Sequence, residues 1–229
     1  MPITPEEFVM AASNGHINTM ELYRAEKGDI NAEVPAKQEY IHNGMAHYAV
    51  EGETITALHA AASNGHRRAV VWLCLHKANV NKETARFGRT AISIALEAFY
   101  LDSALNLANC GADPYVKDRR GGEANAMEIA RNSMQAYQHA VSERIPKDVI
   151  DKMAPSFVRV GFPNSAEMLD NIEKAHREWK AKQTPSNNNS AGHEKSPEDD
   201  KKDKGGNDYA SIFKANAQKR MVSGRGLLG

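Results

Sequence analysis

The chain is short of most things that announce a chemistry. Two cysteines in 229 residues cannot build a disulfide framework, and no Cys-x-x-Cys or His-x-x-x-His spacing suggests zinc. Aromatic residues make up only 7%. The 41% of hydrophobic residues must therefore build a core from many small contacts rather than one aromatic centre. Neither sign of charge is in excess, with 29 basic side chains against 29 acidic ones, so no global field draws the chain to nucleic acid or an anionic membrane. No apolar run approaches the roughly 18 residues of a spanning helix. The opening MPITPEEFVM lacks the charged and apolar regions of a signal peptide. These absences lead us to expect a soluble, monomeric protein of a reducing, cytoplasmic compartment, with one main domain and appendages.

What the sequence does contain is a repeated hexamer. AASNGH occurs at Ala11 to His16 and, fifty positions on, at Ala61 to His66. A period of this size points to a repeat architecture. Aligned on the glycines, GHINTMELYRAEKGDINA and GHRRAVVWLCLHKANVNK match without a gap. FYLDSALNLANCGADPYV fits the same frame, with Phe99 in the glycine's place. In the second copy Ala69, Val70, Leu73 and Cys74 recur at helical spacing, and Val71 and Trp72 widen the stripe. Such a helix needs neighbours on both sides. Small residues at Ala11, Ala12, Ala61, Ala62 and Ala95 allow a second layer to approach closely. One unit cannot close a core alone, so stacking is required.

These segments resemble the ankyrin repeat. Thr56-Ala57-Leu58-His59 and Thr90-Ala91-Ile92-Ser93 resemble its Thr-Pro-Leu-His helix start, and Cys110-Gly111-Ala112-Asp113 its Gly-Ala-Asp turn. Ala61, Ala95 and Ala130 lie 34 and 35 positions apart, close to the family's unit of about 33. The resemblance covers roughly residues 4 to 140 and implies an all-α solenoid of helix-turn-helix units with β-hairpin fingers. Units are expected at about 4–32, 53–82, 87–117 and 118–143. The fourth opens on Asp118-Arg119-Arg120-Gly121 and fades beyond Arg131, as a terminal unit with one wet face should. Alanine replaces the family's proline at both middle helix starts, and Phe99 should alter the turn of the third unit. The resemblance also implies structural roles for Thr56, His59, Gly65, Thr90, Gly111 and Asp113. It further implies hydrogen-bonded turn histidines at His16 and His66.

The fifty-residue interval has an insertion at 33–52. Within it, Asn43-Gly44 is flanked by Tyr40, Ile41, Tyr48 and Val50, the signature of a type I′ hairpin. An elongated finger is expected, with a disordered insertion as the alternative. Beyond the repeats, capping helices are expected over 144–183: PKDVIDKMAPSF closed by Pro155, then a longer helix N-capped by Ser165 and carrying Met168, Leu169, Ile172, Ala175, His176 and Trp179 on one face. Residues 184–229 are too polar to offset their ordering entropy and are expected to be a disordered tail. A short helix at 208–221 within it would suit a partner.

No catalytic arrangement emerges. His42 and His47 on the finger could share one ion, though exposed hairpin residues are the simpler reading. Cys74 and Cys110 fall within and at the end of a helix, as buried small hydrophobes do. Gly121-Gly122 lacks a phosphate-loop context. No cofactor, metal or catalytic residue is assigned, and the chain is read as a non-enzyme. On an ankyrin stack the finger tips and inner helix face form a concave binding face. By that resemblance the partner-binding candidates are Tyr40, His42, His47 and Tyr48 on the first finger; Arg86, Phe87 and Arg89 on the second; and Lys117, Arg119 and Arg120 on the third. Ser13, Asn14, Ser63, Asn64, Glu97 and Ala98 would line the floor. Arginine and aromatic side chains serve as anchors, and the arginines favour an acidic, including a phosphorylated, protein surface. Three alternatives stay open. They are an effector of an intracellular bacterium delivered into a host cell, basic fingers and tail that bind nucleic acid or anionic lipid, and catalysis by the C-terminal region on a repeat platform.

Overall fold

The computed structural model describes residues 2–40, 51–119, 124–149, 157–160 and 164–183. Its helices come in pairs: α1 (Pro5–Ser13) with α2 (Ile17–Ala25), α3 (Ala57–Ser63) with α4 (Arg67–Leu75), and α5 (Ala91–Glu97) with α6 (Leu101–Asn109). A longer helix follows, α7 (Ala126–Ser142), then a single turn, α8 (Phe157–Val160), and α9 (Ser165–Gln183). Helices α1, α3, α5 and α7 pack in succession as an inner layer, and α2, α4 and α6 as an outer one. Ala11, Ala12, Ala61, Ala62 and Ala95 are buried between them, where larger side chains would push the layers apart.

Each inner helix starts with a reciprocal cap. Thr4 Oγ1 accepts from the Glu7 N–H at 3.2 Å while the Glu7 carboxylate accepts from the Thr4 N–H at 2.8 Å. Thr90 pairs with Ser93, and Asn125 with Glu128, in the same way. At α3 the third-position partner is His59, whose Nδ1 accepts from the Thr56 N–H at 3.1 Å. Two of the four orphan donors of each helix are thereby satisfied.

The helices also stop alike. Gly15, Gly65 and Phe99 end α1, α3 and α5 with φ of 70°, 70° and 59°; Lys27, Lys77 and Gly111 end α2, α4 and α6 with 61°, 65° and 93°. In each case the next N–H returns to a carbonyl five residues back, as from His16 to Ala11 at 2.8 Å and from Tyr100 to Ala95 at 2.8 Å. This is the Schellman closure. Phe99 does not alter the turn as expected: it adopts the glycine's left-handed conformation, and burial of its ring at 4% exposure offsets the strain.

At the insertion, β1 (Val34–Pro35) pairs antiparallel with β2 (Thr54–Ile55), Val34 opposite Ile55. Tyr40 was expected on a hairpin arm, but it ends a 3-10 turn, Gln38–Tyr40, and is buried. The Asn43-Gly44 turn, Pro155, the tail and its 208–221 segment lie outside the described residues.

Within the fourth unit expected over 118–143, the described residues form one helix. In the frame of Gly65 and Phe99 the fourth unit has Met134, which stays helical, so α7 runs on for 17 residues until Arg144 turns at φ 59°. The outer place beside α6 is taken by α9. Asn164, Ser165 and Met168 face the start of α6. At its other end, His176 Nδ1 approaches the Ala112 carbonyl at 3.2 Å and the Trp179 ring covers Gly111. Arg131 of α7 ties to Asp170 and Glu173 of α9 at 2.9 Å each. Ser165, expected as the N-cap, is the first helical residue after Asn164 at φ 70°.

Gly65 and Lys77 test the left-handed stops in opposite directions. A Cβ at Gly65 would overlap the Tyr100 ring, so Gly65→Ala should lower the free energy of unfolding by more than about 1 kcal/mol. Lys77→Gly should raise it by up to about 1 kcal/mol, since Lys77 holds a conformation that costs a side chain about that much. Urea denaturation followed by circular dichroism reads both.

Candidate functional site

The finger side of the stack is bound together from turn to turn. Asn31 Oδ1 accepts from the Asn79 N–H at 2.7 Å, and Asn81 Oδ1 accepts from the Asp113 N–H at 3.0 Å. Within each turn the same residues fold back, with Asp29, Asn79 and Asp113 accepting from the N–H two residues on. Short polar side chains that mimic backbone turns are suited to this. Ion pairs span the same gaps: Lys82 to Glu33 at 2.6 Å and Arg119 to Glu83 at 2.6 Å.

The second finger is held from beneath by Glu53. This carboxylate is buried at 3% exposure; its Oε1 accepts from the Arg86 N–H at 2.9 Å and its Oε2 from the Phe87 N–H at 3.3 Å. Two backbone donors on a carboxylate form charge-assisted bonds, which fix the tip. Above it the exposed Arg86 guanidinium lies 5.5 Å from the Phe87 ring centre and donates to the Glu51 carbonyl at 3.0 Å. Phe87 is half-buried and Lys117 exposed. Arg119 is exposed but committed, since its guanidinium also donates to the Ala85 carbonyl at 3.0 Å and its backbone N–H to Phe87 O at 2.7 Å.

Arg89 corrects the expectation of a rim anchor. Its side chain is 1% exposed and pairs with Glu97, 11% exposed, at 2.7 Å. The carboxylate one helix further on makes the interior position tolerable, because a buried guanidinium without such a partner is prohibitive. The floor is also different from that expected. Ser13 and Asn64 are buried because Tyr40 sits on them: the Tyr40 carbonyl accepts from Ser13 Oγ at 2.9 Å and from Asn64 Nδ2 at 2.8 Å. Ser63 and Ala98 are buried as well, and Asn14 and Glu97 are half-buried. Tyr40, at the start of the chain's own insertion, thus occupies the floor at Ser13 and Asn64. His42, His47, Tyr48 and Arg120 lie outside the described residues.

Of the structural residues, His59 does most. With Nδ1 accepting from Thr56, the proton sits on Nε2, which donates toward Lys82 O at 3.0 Å and Arg89 O at 3.2 Å. One imidazole therefore ties a helix start to both ends of the following finger. Burial pushes its pKa down to about 4, since a charged ring would lose its hydration there. At the turn histidines, the His16 and His66 N–H groups close their turns. The His16 ring is exposed, whereas the His66 ring lies against Gly15, as the Tyr100 ring does against Gly65. Thr90 caps α5, and Asp113 lies 3.6 Å from His176 Nε2.

Glu53, Asn31, Asn79, Asn81 and Tyr100 carry structural roles that their residue types alone do not announce. Glu53 was one acid among many, and the asparagines at 31, 79 and 81 recur in the aligned turns but were not read as a ladder. Tyr100 follows the glycine frame as His16 and His66 do, which was a usable signal.

Residues 8–118 match the family model for ankyrin repeats, in three copies. This segment is built of ankyrin repeats. No curated protein matches the chain. Ankyrin repeats are in general protein–protein interaction modules, typically without catalysis. Among the described residues, no His, Cys, Asp and Glu cluster could hold a metal ion, and no helix is long and apolar enough to cross a membrane.

His59 gives the stack a pH dependence. Its folded pKa of about 4 lies below the usual 6.5, so the unfolded chain binds the extra proton first as pH falls. The stabilisation is complete above pH 6.5 and is lost as pH drops from there to about 4. We expect the unfolding free energy to fall by up to about 3 kcal/mol over that window through this group. Denaturation curves at stepped pH should show a shallower slope in His59→Gln.

Proposed function

We propose that this protein is a non-enzymatic interaction module that binds a partner protein through the second and third fingers. The observation that carries this reading is the tip at Arg86 and Phe87, held from below by Glu53. Arginine is enriched among the residues that dominate binding energy and phenylalanine among those of interfaces, and a rigid tip loses little entropy on docking. Lys117, exposed on the next finger, adds a second cation, so the partner's face is acidic. Tyr40 and Arg89 drop out as anchors because they are internal. Arg119 serves by keeping the second and third fingers in register.

Affinity capture from lysate, with the full chain as bait, tests this. Replacing Arg86, Phe87 and Lys117 together with alanine should lower recovery of the captured protein at least about tenfold. Leu22→Ala, on the exposed outer layer, should leave recovery unchanged. Equal capture by the finger variant and the parent would refute the reading.

A further inference from the structure

The chain's two cysteines are neighbours in space. Cys74 lies in the last turn of α4 and Cys110 caps the end of α6, two helices that pack side by side in the outer layer. Both side chains are 2% exposed, neither is in a disulfide, and the two thiols hydrogen-bond to one another. The turns beside them are tied as well. Asn81, beyond the end of α4, donates from Nδ2 to the Gly111 carbonyl at 3.1 Å and accepts from the Asp113 N–H at 3.0 Å. The backbone next to Cys110 is thereby held against the second unit.

A single buried cysteine packs as a small hydrophobe. Two whose sulfurs are in contact can in addition be joined, since side-chain torsion brings such sulfurs within reach of the S–S bond. The Cys110 thiol beside it, together with burial, pushes the Cys74 thiol up, so Cys74 rests as a neutral thiol near neutral pH. Burial also selects the reagent. A thiol of another chain cannot reach these sulfurs, whereas hydrogen peroxide is little larger than water.

We propose that Cys74 and Cys110 form a reversible disulfide when the protein meets hydrogen peroxide. One sulfur, as thiolate, attacks a peroxide oxygen; the O–O bond breaks, a sulfenic acid forms, and the departing hydroxide takes up the thiol proton as water. The second sulfur then attacks the sulfenic sulfur, the S–O bond breaks, and a second water leaves with the remaining proton. Two thiols are oxidised and one peroxide is reduced to two waters. The new bond closes a loop from Cys74 to Cys110 that contains α5 and the whole second finger. Oxidation therefore staples the second unit to the third on either side of that finger. The inference stands on the outer layer and does not rest on what the fingers bind.

Treatment of the native full chain with hydrogen peroxide, followed by quenching, denaturation and alkylation, tests the proposal. Mass spectrometry of the digest should show one pair of peptides joined through Cys74 and Cys110, in a chain that stays monomeric and takes up no alkylating agent. The midpoint of thermal unfolding should rise by about 5 °C or more, and the rise should vanish when dithiothreitol reopens the bond. Cys110→Ala should give neither the joined peptides nor the rise. The peptide readout on the parent chain stands by itself should that variant fold poorly. Both thiols still open to alkylation after peroxide, oxygen added at either sulfur without a link, or a disulfide between two chains overturns the proposal.

Discussion

The left-handed helix stop is the constraint on which the stack depends. A helix pair two and a half turns long has no room for a gradual exit. Each helix must reverse within three residues while its last carbonyls keep partners. The Schellman closure does this at one cost, a residue held at positive φ. Where that residue is Gly15 or Gly65, the missing Cβ also leaves the space into which the next unit sets a ring, His66 or Tyr100. The turn that ends one helix is therefore the seat of the neighbouring unit, and local geometry is coupled to stacking in a single residue.

The opposite edge is organised by a different device with the same consequence. The asparagine and aspartate side chains of successive turns cap one another, Glu53 holds the second finger and His59 ties that finger to the helix beneath it. Buried groups of this kind are worth little when all are satisfied and cost a great deal when one is lost. They fix where the fingers stand more than they add to stability. A fixed rim on a scaffold of small side chains suits recognition, because the surface residues can vary while the interior stays the same.

How far this could be read from sequence follows from which features are local. The hexamer, the Thr-x-x-His start and the Gly-Ala-Asp turn are contiguous and carry their own stereochemistry, so the units and their order were legible. The stops at Lys27, Lys77, Phe99 and Arg144 were not, since these residue types rarely take positive φ and are held there by the surrounding fold. Arg89 reads as a surface residue by type, and only its pairing with Glu97 explains its burial. Tyr40 reads as a strand residue because the Asn-Gly signal is strong, yet its carbonyl is claimed by Ser13 and Asn64 from other units. The fourth unit, which fades beyond Arg131 in sequence, differs from the others because Met134 stays helical where Gly65 and Phe99 turn. Its outer layer comes from α9, more than twenty residues beyond the end of α7.

That last feature gives the account its sharpest claim: α9 is not an appendage but the outer helix that closes the stack over α6. Hydrogen exchange of the native full-length chain, resolved by peptide, tests it most directly. If α9 completes the stack, the amides of Leu169 to His176 exchange as slowly as those of Ala104 to Ala108 in α6, and Trp179→Ala accelerates both segments together. Rapid exchange in α9 beside slow exchange in α6 would contradict the account.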